Sequence, residues 1–122
     1  MENSILTEKS FAYSIKIIRL VQRLQTERKE YVLSTQILKS GTSPGANDRE
    51  AEFAQSKKDF VSKMNIGLKE ANETEYWLEL LFATDYIGKM EFDTLYRDCG
   101  EIKAILISTV RTAKANEEKK LS

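Results

Sequence analysis

Oxygen-bearing side chains are the strongest candidates for chemistry in this chain of 122 residues. Glu70 and Glu73 are three positions apart, so on a helix they share one face. Carboxylate oxygens suit hard divalent cations, which makes a metal site one interpretation. We favour the other, a structural network that ties helices together, because the chain has no histidine to titrate near neutrality. The expected members of this network are Ser43, Asn47, Glu50, Asp59, Glu70 and Glu73.

Histidine and cysteine, which many catalytic and metal sites use, are nearly absent from the chain. Without histidine there is no Ser-His-Asp or Cys-His nucleophile and no histidine-based zinc site. The single cysteine, Cys99, cannot form an internal disulfide or a thiolate metal site, and it falls on an apolar helical stripe. We therefore predict no enzymatic activity, no metal and no cofactor, and we expect Cys99 in the core.

Apolar residues recur at helical spacing along the whole chain, and no stretch alternates with a period of two. There is only one proline, and 31% of the residues are charged. We predict an all-α protein, an antiparallel up-down-up-down four-helix bundle in a single domain over residues 1–122. The predicted helices cover about 4–26, 30–54, 57–87 and 92–114, followed by a frayed tail over 115–122.

The second predicted helix contains Pro44, which cannot donate to residue 40 and disfavours helical geometry at Ser43. A helix kinked near Pro44 and two helices that meet at 41–45 both fit this pattern. Small residues around the proline would let another helix approach closely. At the start of the third helix Ser56 can cap and Asp59 can reach back to close a capping box. At its end, near residue 87, Gly88 is placed as a C-terminal cap.

The first helix is apolar over a wide face made of two neighbouring stripes. Tyr76 and Trp77 of the third helix also lie off its main stripe. This is more apolar surface than one bundle interior needs, so we predict a homo-oligomer. The two stripes are Phe11, Ile15, Ile18 and Val21 or Gln22, and Tyr13, Ile17, Leu20 and Leu24.

Charge gives a weaker signal. The net charge is zero, but residues 1–69 carry +4 and residues 70–122 carry −4. The first helix carries a basic stripe of Lys9, Lys16, Arg19 and Arg23. We interpret it as a solvated helix face, and phosphate contact is the alternative. The chain has no signal-peptide pattern and no apolar run of about 18 residues, so we expect a cytoplasmic protein without a membrane segment.

The chain resembles a known family from about Phe11 to Lys114, most specifically over residues 36–78. The run Gln36-Ile-Leu-Lys-Ser-Gly-Thr-Ser-Pro-Gly-Ala-Asn47 is followed by Ala54-Gln-Ser-Lys-Lys-Asp-Phe60 and by Leu68-Lys-Glu-Ala-Asn-Glu-Thr74, with Tyr76-Trp-Leu78. Together they resemble the bacterial four-helix bundle proteins named for intervening sequences in 23S ribosomal RNA genes.

This resemblance implies a four-helix bundle, a kinked second helix that continues through its proline, and a ring-like homopentamer. It also suggests binding of RNA or of a ribonucleoprotein, because the family is similar to the accessory proteins of diversity-generating retroelements. We therefore predict a non-enzymatic scaffold that binds RNA or an RNA-handling protein; the alternative is a protein–protein interaction module with no nucleic-acid role. The residues expected to contact the partner are Lys16, Arg19, Arg23, Lys57 and Lys58.

Overall fold

The computed structural model describes residues 4–121, and four helices account for most of them. They are α1 (Ser4–Glu27), α2 (Val32–Ala51), α3 (Lys57–Ala83) and α4 (Lys89–Leu121). Each helix packs against its neighbours in the ring order α1, α2, α3, α4, and α1 and α4 also meet. The predicted antiparallel four-helix bundle is confirmed.

The core is built from one stripe of each helix. On α1 this stripe is Tyr13, Ile17, Leu20 and Leu24, all of which are buried. Ile102 and Leu106 of α4 face it across the bundle interior and are also buried, as is Cys99, as predicted. Burial of such side chains contributes about 1.5–3 kcal/mol each, so this interior is the main source of stability.

Helix α2 runs unbroken through Pro44, which decides between the two interpretations of that segment. Small residues around the proline allow close helix approach. A Cβ added to Gly41 would lie 2.8 Å from Cγ1 of Ile17, and one added to Gly45 would lie 3.3 Å from Oγ of Ser14. α1 therefore lies directly against the backbone of α2.

Ser56 caps α3 as predicted, but the Asp59 carboxylate reaches the N–H of Gln55 and not that of Ser56, so the predicted capping box does not close. The Asp59 N–H donates to Oγ of Ser56 at 3.0 Å, and the Asp59 carboxylate accepts from the Gln55 N–H at 3.3 Å. At the start of α2 the carboxylate of Glu30 accepts the N–H groups of three residues in the first turn, Val32, Leu33 and Ser34. Both helix starts are thus satisfied by side-chain oxygens.

The end of α3 differs from the prediction. Gly88 was expected to cap it near residue 87, but the helix ends at Ala83 and Asp85 takes the left-handed conformation, with φ 66°. The N–H of Tyr86 donates to the Leu81 carbonyl at 2.9 Å, which closes a Schellman motif. Gly88 instead precedes α4.

Helices α2 and α4 also end elsewhere than predicted. α2 stops at Ala51, three residues early, because the chain must turn before the Ser56 cap. α4 continues to Leu121, so the tail expected to fray from residue 115 is helical. Its Ala, Glu and Lys residues favour helix even though their side chains from 114 to 119 are exposed. Within the described residues, no helix is long and apolar enough to cross a bilayer.

Candidate functional site

The polar residues predicted as one network form separate local ties. Asn47 donates to the carbonyl and the hydroxyl oxygen of Ser43, at 3.0 and 2.9 Å within α2. Glu50 lies 3.8 Å from the ammonium group of Lys63 on α3. Asp59 is occupied by the helix cap. The hydrogen bonds and ion pairs of the described residues therefore do not join these side chains into one site.

Glu70 and Glu73 lie together on α3, as their spacing predicts. Burial raises the pKa of Glu70, and the neighbouring Glu73 carboxylate raises it further, while Lys39 and Lys69 act in the opposite direction. In the part of the chain that the structure describes, no group of three or more acidic, cysteine or histidine side chains is placed to hold a metal ion. The pair is best described as an acidic patch on α3.

The basic stripe of α1 lies along the seam with α4, where acidic residues neutralise most of it. Three cations one heptad apart on α1 face three carboxylates on α4. Most of these side chains are partly exposed, so each pair contributes only about 0–1 kcal/mol. The pairs are Lys9–Glu101 at 3.0 Å, Lys16–Asp98 at 2.7 Å and Arg23–Glu91 at 2.5 Å.

Arg19 also belongs to the basic stripe of α1, and within the described residues it forms no ion pair. It lines an open groove of about 650 Å³ between α1 and the start of α4, together with Lys16 and Arg23. Lys89 and the exposed Met90 form the opposite rim. The structure thus brings three of the five predicted contact residues together.

Lys57 and Lys58 lie at the other end of the bundle. They begin α3, where the last turns of α4 pass alongside, and Lys57 lines a groove with Thr112 and Asn116. Both side chains are exposed. The five predicted contact residues therefore belong to two distant surfaces, because antiparallel packing puts the start of α3 far from the seam at Arg19.

The second apolar stripe of α1 lies on the surface. Phe11 is 61% exposed, and Ile15 and Ile18 are each 40% exposed. Only Val21 of that stripe is buried. The wide apolar face predicted to point at the core therefore divides into a buried stripe and an exposed one.

A buried carboxylate escaped the sequence analysis. Asp48 is only 1% exposed, and it accepts a hydrogen bond from the Thr7 hydroxyl at 2.7 Å. Burial raises its pKa, and the Thr7 bond partly offsets that effect. The sequence does indicate this burial. Asp48 follows Ile37, Gly41 and Pro44 at helical spacing, so it falls on the core-facing stripe of α2.

The cysteine lies next to a second buried group, Tyr13. Cys99 donates to the Ala71 carbonyl at 3.2 Å, and the Tyr13 hydroxyl donates to the Leu95 carbonyl at 3.0 Å. Burial, reinforced by the Glu75 carboxylate, raises the pKa of Cys99 to about 12. A thiol in this state is not a nucleophile at neutral pH.

Comparisons with known proteins agree with this architecture. Residues 2–108 match the family described as 23S rRNA-intervening sequence protein. The chain is also similar to the crystal structure of a protein with unknown function from the S23 ribosomal protein family of Bacteroides thetaiotaomicron. The two are 50% identical, the TM-score is 0.89, and the match covers 91% of this chain and 99% of the other. No curated protein matches.

Proposed function

This chain belongs to the family of 23S rRNA-intervening sequence proteins, and we propose that it is a non-enzymatic, homo-oligomeric helical scaffold of the bacterial cytoplasm. The observation that carries the proposal is the exposed apolar stripe of α1, formed by Phe11, Ile15 and Ile18. The interior of the bundle is already filled by the neighbouring stripe, so these side chains have no core to enter. A contiguous exposed apolar patch marks an interaction surface.

A ring of subunits, with a pentamer as the expected form, would bury this stripe repeatedly. A heterologous contact closes into a ring when its rotation allows. The lack of enzymatic activity is supported by the high pKa of Cys99 and by the structural partners of two carboxylates, since Glu50 pairs with Lys63 and Asp59 caps α3. A buried thiol with a pKa of about 12 is not prepared to act as a nucleophile near neutrality.

Light scattering on a dilution series tests the assembly. The native protein is expected to have a mass several times the 14.0 kDa of one chain. Phe11→Glu places a charge in the stripe and should give a monomer that still folds. Phe53→Glu is the matched control, because Phe53 is 79% exposed in the turn before α3. A native protein that stays monomeric at high concentration would refute the proposal.

Binding of RNA or of a ribonucleoprotein is the partner function that we propose for this scaffold. Arg19 supports it, since its guanidinium lines the α1/α4 groove without an ion pair recorded in the described part of the chain. Lys16 and Arg23 are already paired, although exposed pairs are weak enough for phosphates to compete. An assembly repeats each weak site, so the sites sum by avidity.

Titration with structured RNA at low and moderate salt tests this partner. Arg19→Gln should weaken binding more than Lys16→Gln, and a combined Lys57→Gln, Lys58→Gln variant reports on the other end of the bundle. Lys39→Gln is a control on an exposed lysine of α2 that lines neither groove. If no RNA binds at low salt, and a protein partner survives nuclease treatment in a pull-down, the chain is a protein–protein interaction module instead.

A further inference from the structure

Asp48 lies at a groove between α1 and α2 that opens onto the exposed apolar stripe. The groove encloses about 470 Å³ and is lined by Phe11 and Ile18 as well as by Asp48. One carboxylate oxygen, Oδ2, accepts from Thr7, but the other, Oδ1, is buried with no hydrogen-bond partner in the described part of the chain. A buried carboxylate oxygen in this state is unfavourable unless a donor reaches it.

The neighbouring side chains that the structure describes do not supply that donor. Ser14 donates to the Ser10 carbonyl at 2.9 Å, and Ser10 donates to the Thr7 carbonyl at 3.4 Å, so both hydroxyl protons are used within α1. Arg49 is next to Asp48 in sequence and favours its charged form, yet no ion pair joins them. No described side chain therefore donates to Oδ1, and a second copy of the chain is one source of the missing donor.

We infer that the α1/α2 groove receives a lysine or arginine side chain of a second copy of this chain, which donates to Oδ1 of Asp48. The inference rests on the homo-oligomeric scaffold proposed above and adds the polar anchor of its interface. Water does not reach Oδ1, so the incoming donor must displace side chains that line the groove. The segment that carries the donor must also bring apolar surface that covers Phe11. A helix that carries both kinds of residue meets that requirement.

The chain itself carries such helical faces. Three exposed isoleucines are each followed, three or four residues later, by a lysine or arginine. Within the described residues, none of these three cations forms an ion pair. Such a spacing places the apolar and the cationic side chain on one face, one turn apart. The three pairs are Ile15 with Arg19, Ile66 with Lys69, and Ile107 with Arg111.

The substitution Asp48→Asn keeps the size of the side chain and its acceptor for Thr7, but it removes the charge. Loss of a buried charge-assisted bond across an interface should raise the dissociation constant of the assembly about tenfold or more. Sedimentation of a dilution series measures it. Glu50→Gln is the control, because Glu50 lines the same groove but its side chain is 60% exposed.

The donor is identified by Arg19→Gln, Lys69→Gln and Arg111→Gln, each alone and combined with Asp48→Asn. One of the three should weaken assembly and add little further loss to Asp48→Asn, because both changes remove the same bond. These side chains are exposed, so the three single variants carry the test even if Asp48→Asn does not fold.

Two results overturn the inference. If Asp48→Asn assembles with the dissociation constant of the native protein, the carboxylate has no cationic partner. The same conclusion follows if all three cation variants assemble with the native dissociation constant. Either result leaves the proposed homo-oligomer intact. A native protein that is monomeric refutes the homo-oligomer itself and this anchor with it.

Discussion

The hydroxyls of Ser40 on α2 and Thr74 on α3 share a hydrogen bond of 2.9 Å, and both residues are buried. It lies one turn before Pro44, where the proline cannot donate to the Ser40 carbonyl. A side-chain tie between the helices thus stands where the backbone ladder of α2 is weakest.

Removing one partner of that tie should destabilise the bundle. Thr74→Val leaves the Ser40 hydroxyl buried without its partner, which costs about 1–3 kcal/mol in the free energy of unfolding. The double variant with Ser40→Ala should lose less than the sum of the two single losses. Urea denaturation measures all three. Thr35→Val, at an exposed position of α2, is the control, and equal losses for Thr35→Val and Thr74→Val would contradict the expectation.

Glycine substitutions should separate close helix contact from helix propensity. Gly41→Ala puts a methyl group 2.8 Å from Cγ1 of the fully buried Ile17, so overpacking should destabilise the fold by about 1–3 kcal/mol. Gly100→Ala meets nothing within 4 Å and should stabilise the protein by about 0.5–1 kcal/mol. Thermal and urea unfolding report both effects, and stabilisation by Gly41→Ala would be evidence against the tight α1/α2 contact.

The Glu70 and Glu73 pair on α3 should make the free energy of unfolding depend on pH. The pKa of Glu70 is raised above its ordinary value of 4.5, so the folded state holds this proton more tightly than the unfolded state. Stability from this group is therefore complete below about pH 4 and falls as the pH rises through the raised pKa.

Glu73→Gln removes the repulsion that contributes to this loss. At pH 7 it should stabilise the protein by about 0.2–0.5 kcal/mol, less where solvent screens the pair, and at pH 3 the gain should vanish. Urea midpoints at the two pH values test this. Glu118→Gln, on the exposed end of α4, should show no such difference. A gain of equal size at both pH values would exclude carboxylate repulsion as its cause.

Cys99 should be unreactive in the folded protein. Its pKa of about 12, against an ordinary 9.0, makes the thiolate about a thousandfold rarer than for a free thiol at pH 8. Iodoacetamide should therefore label it at least that much more slowly in buffer than in denaturant, where the same cysteine is the control. Rapid labelling in buffer would mean that α4 opens readily.

Much of the fold could be predicted from the sequence because its signals are local. Apolar spacing placed all four helices, and the Ser56 and Asp59 pair placed the start of α3. The end of α3 was misjudged because the chain offered Gly88 for the left-handed position that Asp85 takes. Arg28 reaches this turn from the end of α1, since it donates to the Asp85 carbonyl at 3.2 Å.

Binding residues were harder to predict, because their state depends on the facing helix. The sequence predicts Lys16, Arg19 and Arg23 on one face of α1, and they line one groove. Whether each cation is available to a partner depends on α4, because Asp98 pairs with Lys16 and Glu91 pairs with Arg23. Lys57 and Lys58 lie on another surface altogether, and nothing local to the sequence indicates that separation.

The sequence by itself determined that the chain is helical, that α1 is apolar on a wide face, and that no catalytic triad exists, because these follow from residue type and period. The tertiary structure decided which half of that face is buried, that α2 continues through Pro44, and that one oxygen of Asp48 has no donor among the described residues. The physical reason is that burial and hydrogen-bond pairing are properties of two helices in contact, whereas periodicity belongs to one.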